Sequence, residues 1–235
     1  MTRRRAFGLT IALSIAASAC GSTTTTHSGS ARVRVRGIDF PVALAPDGAG
    51  GLLFAERVSG RVRRVDAAGR LVPEPVARVA VSVAGQRGLL GVAVDGADRV
   101  FAAYTGTGPG RPILVAEVVP ESRPVWSGPP SAKLANGGHL VYDPHRARLV
   151  IGIGDLLDRA RSADPTAPNG KLLLLDPDGP PDQRPAVLSA RWNNPFAFAL
   201  TDAGALWVAD NVPGEKACHD KDSVLAMPDC WASRL

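Results

Sequence analysis

Four stretches of the 235-residue chain repeat one pattern, in which an apolar strand leads into a turn with an aspartate and then into a second apolar strand. Similarity at a fixed spacing along a sequence is the signature of repeat architectures. The turn aspartates are Asp47, Asp95, Asp143 and Asp202, so two intervals are 48 residues and the third is 59. The polar stretch 156–169, which inserts a loop, accounts for the longer interval. The repeat predicts structural units of about 48 residues.

Each unit contains further strand-like segments between its hairpin and the next one. The sequence supplies such runs at 61–65, 112–119 and 171–175. The 25 glycines and 20 prolines favour short strands joined by turns over a helical bundle. Three or four strands in each unit match the blade of a β-propeller, a four-stranded sheet set radially around an axis. We therefore predict an all-β, β-propeller domain over residues 37–235, with the turn aspartates at equivalent hairpin tips. A β-sandwich with accidental spacing is the alternative.

The first nineteen residues have the features of an export signal. An arginine triplet at 3–5 precedes a mostly apolar run, and small residues at 17–19 precede a cleavage point. Cys20, directly after them, resembles the lipobox cysteine of bacterial lipoproteins, whose thiol carries a diacylglyceryl group. Residues 20–36 then form a lipidated N-terminus and flexible tether. The predicted localisation is the extracytoplasmic face of a bacterial cell membrane. The alternative is an ordinary secreted protein with a spare cysteine.

The charge balance gives little support to nucleic-acid binding. Removal of the three signal arginines from the 27 basic residues leaves 24 against 22 acidic ones, a net charge of +2. Nucleic-acid-binding domains carry a much stronger basic surface. No stretch after residue 20 is apolar over the ~18 residues that a membrane-spanning helix requires. We expect no nucleic-acid partner, and membrane contact only through the lipid anchor.

Cys218 and Cys230 are predicted to form a disulfide. Export would place them in an oxidising compartment, where pairing is the default state of two cysteines. The alternative is a metal site that also uses His219 and Asp220. That site would lack the CxxC pair that is typical of zinc centres.

Six short motifs follow one another along the chain. They are GLLFAER with GRV at 51–57 and 60–62, GQRGLLG at 85–91, NGG at 136–138, IGIGD at 151–155, NGK with DPDG at 169–171 and 176–179, and NP at 194–195. In this order they resemble the soluble quinoprotein sugar dehydrogenases, the glucose/sorbosone dehydrogenase family of PQQ-dependent β-propellers. Family propellers have six blades, whereas the 216 residues after position 19 allow about 4.5 units. We expect about four blades, either from a truncated reading frame or from a reduced four-bladed variant.

The resemblance implies a cofactor site that contains PQQ and Ca²⁺. In the family, a histidine takes the proton of the anomeric hydroxyl while hydride moves to the quinone. An aspartate orients that histidine, and an arginine supports the developing charge. Position by position, Asp155 matches the orienting aspartate, and Gln86, Asn193 and Asn194 lie beside the cofactor. Val212 and Pro213 occupy the place of the Gly-Pro pair whose carbonyl oxygens bind Ca²⁺.

The chain departs from the family at the two most important catalytic positions. Ala135 stands where the catalytic histidine is expected, and Asn193 replaces the arginine. His139, four residues later on a strand, is a weak substitute whose simpler interpretation is a partly exposed strand histidine. Arg191 lies two residues from the arginine position and reaches the same region only if its loop bends.

Three functional hypotheses follow. The first is a PQQ-dependent aldose dehydrogenase-like lipoprotein that oxidises the anomeric carbon of a sugar. The second is a noncatalytic propeller lipoprotein that binds a sugar or another component of the cell envelope. The third is a lactonase-like propeller with a central Ca²⁺, for which Glu56, Asp155 and Asp210 are the candidate ligands. The sequence leaves the substrate and the oligomeric state open.

Overall fold

The computed structural model describes residues 35–211 and the backbone of one strand near the C-terminus, Ser233–Arg234. The first ten strands are β1 Pro41–Pro46, β2 Leu52–Glu56, β3 Arg61–Val65, β4 Ala77–Arg78, β5 Leu89–Val94, β6 Val100–Thr105, β7 Pro112–Val119, β8 Arg123–Pro130, β9 Gly137–Asp143 and β10 Arg148–Ile153. The remaining strands are β11 Lys171–Leu175, β12 Ala186–Ala190, β13 Pro195–Leu200, β14 Leu206–Asp210 and β15 Ser233–Arg234. A short 3₁₀ helix spans Arg159–Ser162.

The strands form four antiparallel sheets, and in each sheet the strands pair in sequence order. Blade 1 contains β1–β4, blade 2 contains β5–β8, blade 3 contains β9–β12, and blade 4 contains β13–β15. This arrangement confirms the predicted all-β fold of propeller type with four blades. Within residues 35–211, no helix is long and apolar enough to cross a membrane.

The predicted hairpin tips are confirmed for three of the four turn aspartates. Asp47 Oδ1 accepts the backbone N–H groups two and four residues later at 2.9 and 2.7 Å, and Asp95 Oδ1 does the same at 2.9 Å for both. Asp143 Oδ1 accepts the N–H groups two and three residues later at 2.9 and 3.2 Å. These bonds satisfy the donors of a tight turn.

The fourth tip corrects the prediction by one residue. Asp202 lies in the turn between β13 and β14, but Thr201 directly follows β13, as Asp47 follows β1 and Asp95 follows β5. Thr201 Oγ1 accepts the N–H of Ala205, four residues later, at 3.1 Å. The equivalent position is therefore Thr201, because a hydroxyl oxygen accepts the same turn N–H that a carboxylate accepts in the other blades.

The blades pack face to face through three apolar clusters. Val62 and Leu89 belong to the cluster between blades 1 and 2, Phe101 and Leu149 to the cluster between blades 2 and 3, and Phe198 to the cluster between blades 3 and 4. All five side chains are buried. Burial of such apolar surface is the main favourable contribution to folding.

The first strands of the four blades line a single apolar cleft of about 1060 Å³. They run side by side in the order β1, β5, β9 and β13. On β1, Ala43 and Ala45 face blade 2, whereas Leu44 points to the opposite face and is 61% exposed. This alternation is the period-two pattern of a strand with one packed face. We call this space the axial cleft.

Several predictions concern residues that lie outside the described part of the chain. They are the signal peptide at 1–19, the lipidation site Cys20, the carbonyl pair Val212 and Pro213, and the disulfide pair Cys218 and Cys230. These remain predictions.

Candidate functional site

The predicted site residues meet at the face of the propeller where the first strand of each blade begins. Gln86 precedes β5, Asn193 and Asn194 precede β13, and Asp155 follows β10, which runs antiparallel to the first strand of its blade. Since the first strands lie side by side, the segments at their starts come together at one end. All four residues line one pocket of about 400 Å³, which we call the polar pocket.

Gln86 joins the loops that precede blades 2 and 3. Its Oε1 accepts the backbone N–H of Ala135 at 2.8 Å, and its own N–H donates to the carbonyl of Lys133 at 2.9 Å. The carboxamide therefore fixes the loop that carries Ala135, the position where the resemblance places a proton acceptor.

Asp155 is the acidic side chain of the polar pocket and is only 5% exposed. Its N–H donates to the carbonyl of Asn193 at 2.6 Å, and its Oδ1 accepts the N–H of Leu157 at 2.9 Å. The amide of Asn169 donates to its carbonyl oxygen at 2.9 Å. Two of these bonds fix the backbone of Asp155 and the third engages its carboxylate, so the residue is held at the wall of the pocket.

The backbone around Asp155 is strained. Ala135, Leu156 and Leu157 have φ values of +55°, +58° and +65°, although none of them is glycine. This left-handed region is uncommon for residues with a Cβ, and it clusters at functional sites when the surrounding structure enforces it. The strain therefore marks the same wall of the pocket as the predicted residues do.

Asp210 positions the two asparagines, a role that the sequence analysis missed. Its carboxylate accepts the backbone N–H of Asn193 at 3.0 Å and that of Asn194 at 2.6 Å. Asn194 Oδ1 in turn accepts the N–H of Gly137 at 2.8 Å, which joins blades 4 and 3. Asn193 Nδ2 donates to the carbonyl of Asn211.

A second pocket of about 320 Å³ adjoins the polar pocket and shares Gln86, Asn194 and Asn211 with it. Arg57 lines this second pocket, and its guanidinium lies 4.4 Å from the ring centroid of Phe40. Arg57 Nη1 donates to the carbonyls of Gly85 and Arg87 at 2.8 and 2.9 Å. The arginine therefore holds the loop that carries Gln86. Arg57 belongs to the GLLFAER motif, but nothing in the sequence indicates its contact with the loop at Gly85 and Arg87.

Ala135 lines the polar pocket, and His139 does not line this pocket. His139 lies on β9 in the axial cleft, where its Nε2 is 2.9 Å from the carbonyl oxygen of Phe198. The two rings meet edge to face at a centroid distance of 4.6 Å. Burial lowers the pKa of His139 below its ordinary value. Arg191 lines neither of the two described pockets at this face.

The three carboxylates that the lactonase hypothesis requires are not grouped together in the described part of the chain. Glu56 lies in blade 1 and contacts Arg61 at 3.3 Å and Arg63 at 3.5 Å. Asp155 lines the polar pocket, and the carboxylate of Asp210 accepts hydrogen bonds from the backbone N–H groups of Asn193 and Asn194. Within residues 35–211, no three histidine, cysteine, aspartate or glutamate side chains are grouped to hold a metal ion.

The residues at this face suit an anionic, planar ligand such as a tricarboxylated quinone. Two guanidinium groups, Arg57 and Arg159, line the adjoining pockets, and guanidinium matches carboxylate in charge and geometry. The carboxamide residues Gln86 and Asn194 line both pockets and add polar groups. In the described residues, no imidazole lines either pocket.

The family model for glucose/sorbosone dehydrogenase matches residues 38–214. The PQQ-bound aldose sugar dehydrogenase from Streptomyces coelicolor is 28% identical, with 76% of this chain and 58% of that chain covered and a TM-score of 0.65. A glucose dehydrogenase-type oxidoreductase from Thermus thermophilus is 29% identical, with 77% and 61% covered and a TM-score of 0.65. The apo-form of the soluble aldose sugar dehydrogenase from Escherichia coli is 25% identical, with 75% and 58% covered and a TM-score of 0.60.

The chain spans about three fifths of the length of these solved structures. No curated protein matches it.

Proposed function

The chain belongs to the glucose/sorbosone dehydrogenase family, and from that premise we propose that it binds PQQ at the polar pocket and oxidises an aldose there. One observation carries the proposal. Gln86, Asp155, Asn193 and Asn194, each matched to the family's cofactor site from sequence, line a single pocket. The propeller brings the segments that carry them to one face, and the four polar side chains found there supply hydrogen-bonding groups and one carboxylate to a single pocket.

The chain's own residues supply the groups that such a site requires. PQQ, when bound, accepts the hydride of the anomeric carbon. Arg57 and Arg159 pair with carboxylates of the ligand, and the amides of Gln86 and Asn194 hydrogen-bond to its polar edge. The mixed pocket walls, apolar at Leu134, Ala135 and Leu157 and polar at the other lining residues, suit a planar aromatic ligand with polar substituents.

Asp155 is the group proposed to accept the hydroxyl proton of the sugar. It is the acidic side chain among the described residues that line the two pockets. The proton moves from the anomeric hydroxyl to the carboxylate while the hydride leaves the same carbon, so the sugar becomes a lactone. A carboxylate is a weaker base than imidazole at neutral pH, so turnover is expected to be slow.

The second candidate function is a binding protein that does not turn over its sugar. The methyl group at Ala135 favours it, because the resemblance places the proton-accepting histidine at this position. Both candidates share the same pocket and differ only in whether Asp155 suffices as a base.

Reconstitution of the full chain with PQQ and Ca²⁺ separates the two. Quenching of PQQ fluorescence measures binding, and dye reduction with a panel of aldoses measures turnover. The first candidate requires slow turnover that Asp155→Asn abolishes without loss of PQQ binding. Free imidazole should increase this turnover if the histidine missing at Ala135 is what limits the rate. PQQ binding without turnover supports the second candidate, and absence of binding overturns both.

Export, lipidation at Cys20 and a Ca²⁺ site at the carbonyls of Val212 and Pro213 are parts of the same proposal. Lipidation predicts an acyl mass on a mature N-terminus at Cys20, which mass spectrometry of the membrane fraction measures. A mature chain that lacks this mass contradicts the anchor. A Ca²⁺ requirement predicts that chelation weakens PQQ binding.

A further inference from the structure

Lys171 is a buried amine that the proposed reaction does not use. It is the first residue of β11 and only 1% exposed. Lysine is rarely buried to this extent unless its charge is compensated, because removal of an ammonium from water is costly. The ammonium of Lys171 must therefore have hydrogen-bond acceptors in the protein interior.

The ammonium donates to three backbone carbonyls of a single loop. Nζ lies 3.3 Å from the carbonyl oxygen of Ser162, 2.8 Å from that of Asp164 and 3.1 Å from that of Asn169. A lysine ammonium has three N–H donors and no acceptor, so these bonds use its full capacity. The loop 156–169 is therefore tied to the sheet through one side chain.

This loop forms one wall of the polar pocket. It carries Leu157 and Arg159, which line the pocket beside Asp155. Asn169, one of the residues that the ammonium holds, donates its amide to the carbonyl of Asp155 at 2.9 Å. The contacts run without a break from the ammonium, through Asn169, to the proposed proton acceptor.

The loop that the ammonium restrains also contains two strained residues. Leu156 and Leu157 have φ values of +58° and +65°. Such conformations persist only where the surroundings enforce them. The charge-assisted bonds of the ammonium to Ser162, Asp164 and Asn169 restrain the same loop and are stronger than neutral ones.

We propose that Lys171 is a positioning residue of the polar pocket, whose ammonium holds the 156–169 loop so that Asp155, Leu157 and Arg159 face the ligand. This inference rests on the proposed function only for the identity of the ligand. The hold on the loop is independent of it. Arg161 and Asp164 are the charged groups of the loop that act on the ammonium. The cross-strand neighbours of Lys171, Ile153 and Ala190, carry no charge.

The test compares the full-length wild type with Lys171→Met, which keeps the length of the side chain and removes its donors. Hydrogen exchange of the backbone amides in 156–169 is expected to become about tenfold faster or more, as the loss of one charge-assisted hydrogen bond implies. Lys171→Arg, which keeps charge and donors, should restore most of the protection. Val150→Ala, a buried truncation on β10 outside the loop, should leave loop exchange close to that of the wild type.

Binding of PQQ gives the second readout. Lys171→Met should weaken PQQ affinity about tenfold, and Lys171→Arg should recover it. Val150→Ala should leave PQQ affinity unchanged. A merely structural role for Lys171 does not predict this difference between the two buried positions. Unchanged loop exchange in folded Lys171→Met overturns the proposal whether or not PQQ binds. Faster exchange in a chain whose wild type binds no PQQ supports the hold on the loop and counts against the proposed function instead. If Lys171→Met does not fold, Lys171→Gln, which loses the charge, replaces it with the same expectations.

Discussion

The polar pocket and the axial cleft are built on the same first strands, yet different interactions hold them. Along β1, β5, β9 and β13, apolar side chains line the cleft and small residues such as Ala43 pack against the next blade. At the starts of these strands, side chains bond to the backbone of a neighbouring blade. Gln86 reaches Ala135 and Asn194 reaches Gly137, 49 and 57 residues away in sequence.

Because of this difference, we expect the axial cleft to determine the free energy of unfolding and the polar pocket to determine ligand binding. Apolar contacts in the cleft are non-directional, so their loss lowers the free energy of unfolding without moving any particular polar group. Bonds at the pocket are directional, and a single lost acceptor displaces a loop that carries a site residue. Substitutions at the two regions should therefore affect different measurements.

The largest effect is expected from Ala135→His. The φ of +55° at this position suits histidine, which is enriched among left-handed residues, so the variant should fold. A positioned imidazole should increase kcat for aldose-dependent dye reduction by roughly 10²- to 10⁴-fold. Ala147→His, at φ +50° in the exposed turn after β9, is the matched control and should give no increase. A folded Ala135→His that binds PQQ without faster turnover would place the proton acceptor elsewhere.

The next effect is expected in the axial cleft. Phe198→Ala removes a ring that is 7% exposed and that packs on His139. The free energy of unfolding in urea should fall by about 3 kcal/mol, the usual cost of such a truncation. PQQ affinity should stay unchanged. Trp207→Ala removes a larger ring that is 49% exposed and should cost about 1 kcal/mol or less. Weaker PQQ binding in Phe198→Ala would show that cleft and pocket are coupled.

Asp210→Ala should give a smaller loss of stability together with a loss of binding. The change leaves the N–H groups of Asn193 and Asn194 without their acceptor, at a cost of about 2 kcal/mol. PQQ affinity should fall, because both asparagines line the polar pocket. Asp202→Ala, in the exposed turn of the same blade, is the control and should stay within about 0.5 kcal/mol of the wild type. Equal effects of the two changes would argue against a positioning role for Asp210.

The smallest effect is a dependence of stability on pH. Burial lowers the pKa of His139, so the unfolded chain binds a proton at this histidine more readily than the folded chain does. As the pH falls below about 6.5, the free energy of unfolding should therefore decrease, by at most about 1.4 kcal/mol per pH unit. His139→Phe should remove this pH dependence of the free energy of unfolding between about pH 6.5 and 5. Near pH 8, the variant should show the same pH dependence as the wild type. Urea unfolding at each pH measures both. An unchanged slope in the variant would mean that another group causes it.

The sequence predicts the blades because the hairpin repeat is a local pattern, whereas the candidate site residues come from the resemblance of short motifs to a known family. The hairpin repeat marks each blade, and Gln86, Asp155, Asn193 and Asn194 lie on segments that a propeller brings to one face. The exact tip of the fourth hairpin was missed, since Thr201 and Asp202 both suit a turn and only the strand register distinguishes them.

The contacts that secure the site leave no local signal. Asp210 ends an ordinary apolar strand, and its partners lie 16 and 17 residues earlier. Lys171 begins a run of four leucines that resembles a core strand, and its acceptors are backbone carbonyls, which any residue supplies. Arg57 reaches a loop 28 to 30 residues later. Such pairs become visible only when the chain is folded.

The hydrogen bonds at the hairpin tips have a consequence for how such a chain folds and evolves. Asp47, Asp95, Asp143 and Thr201 each satisfy turn donors within four residues, so every hairpin can form from its own segment before distant parts of the chain arrive. A unit that nucleates by itself can be copied, lost or exchanged by recombination without redesign of its neighbours. A change in the number of blades would therefore leave the hairpin tips intact and alter the joints between blades, where Gln86 and Asn194 bond to a neighbouring blade.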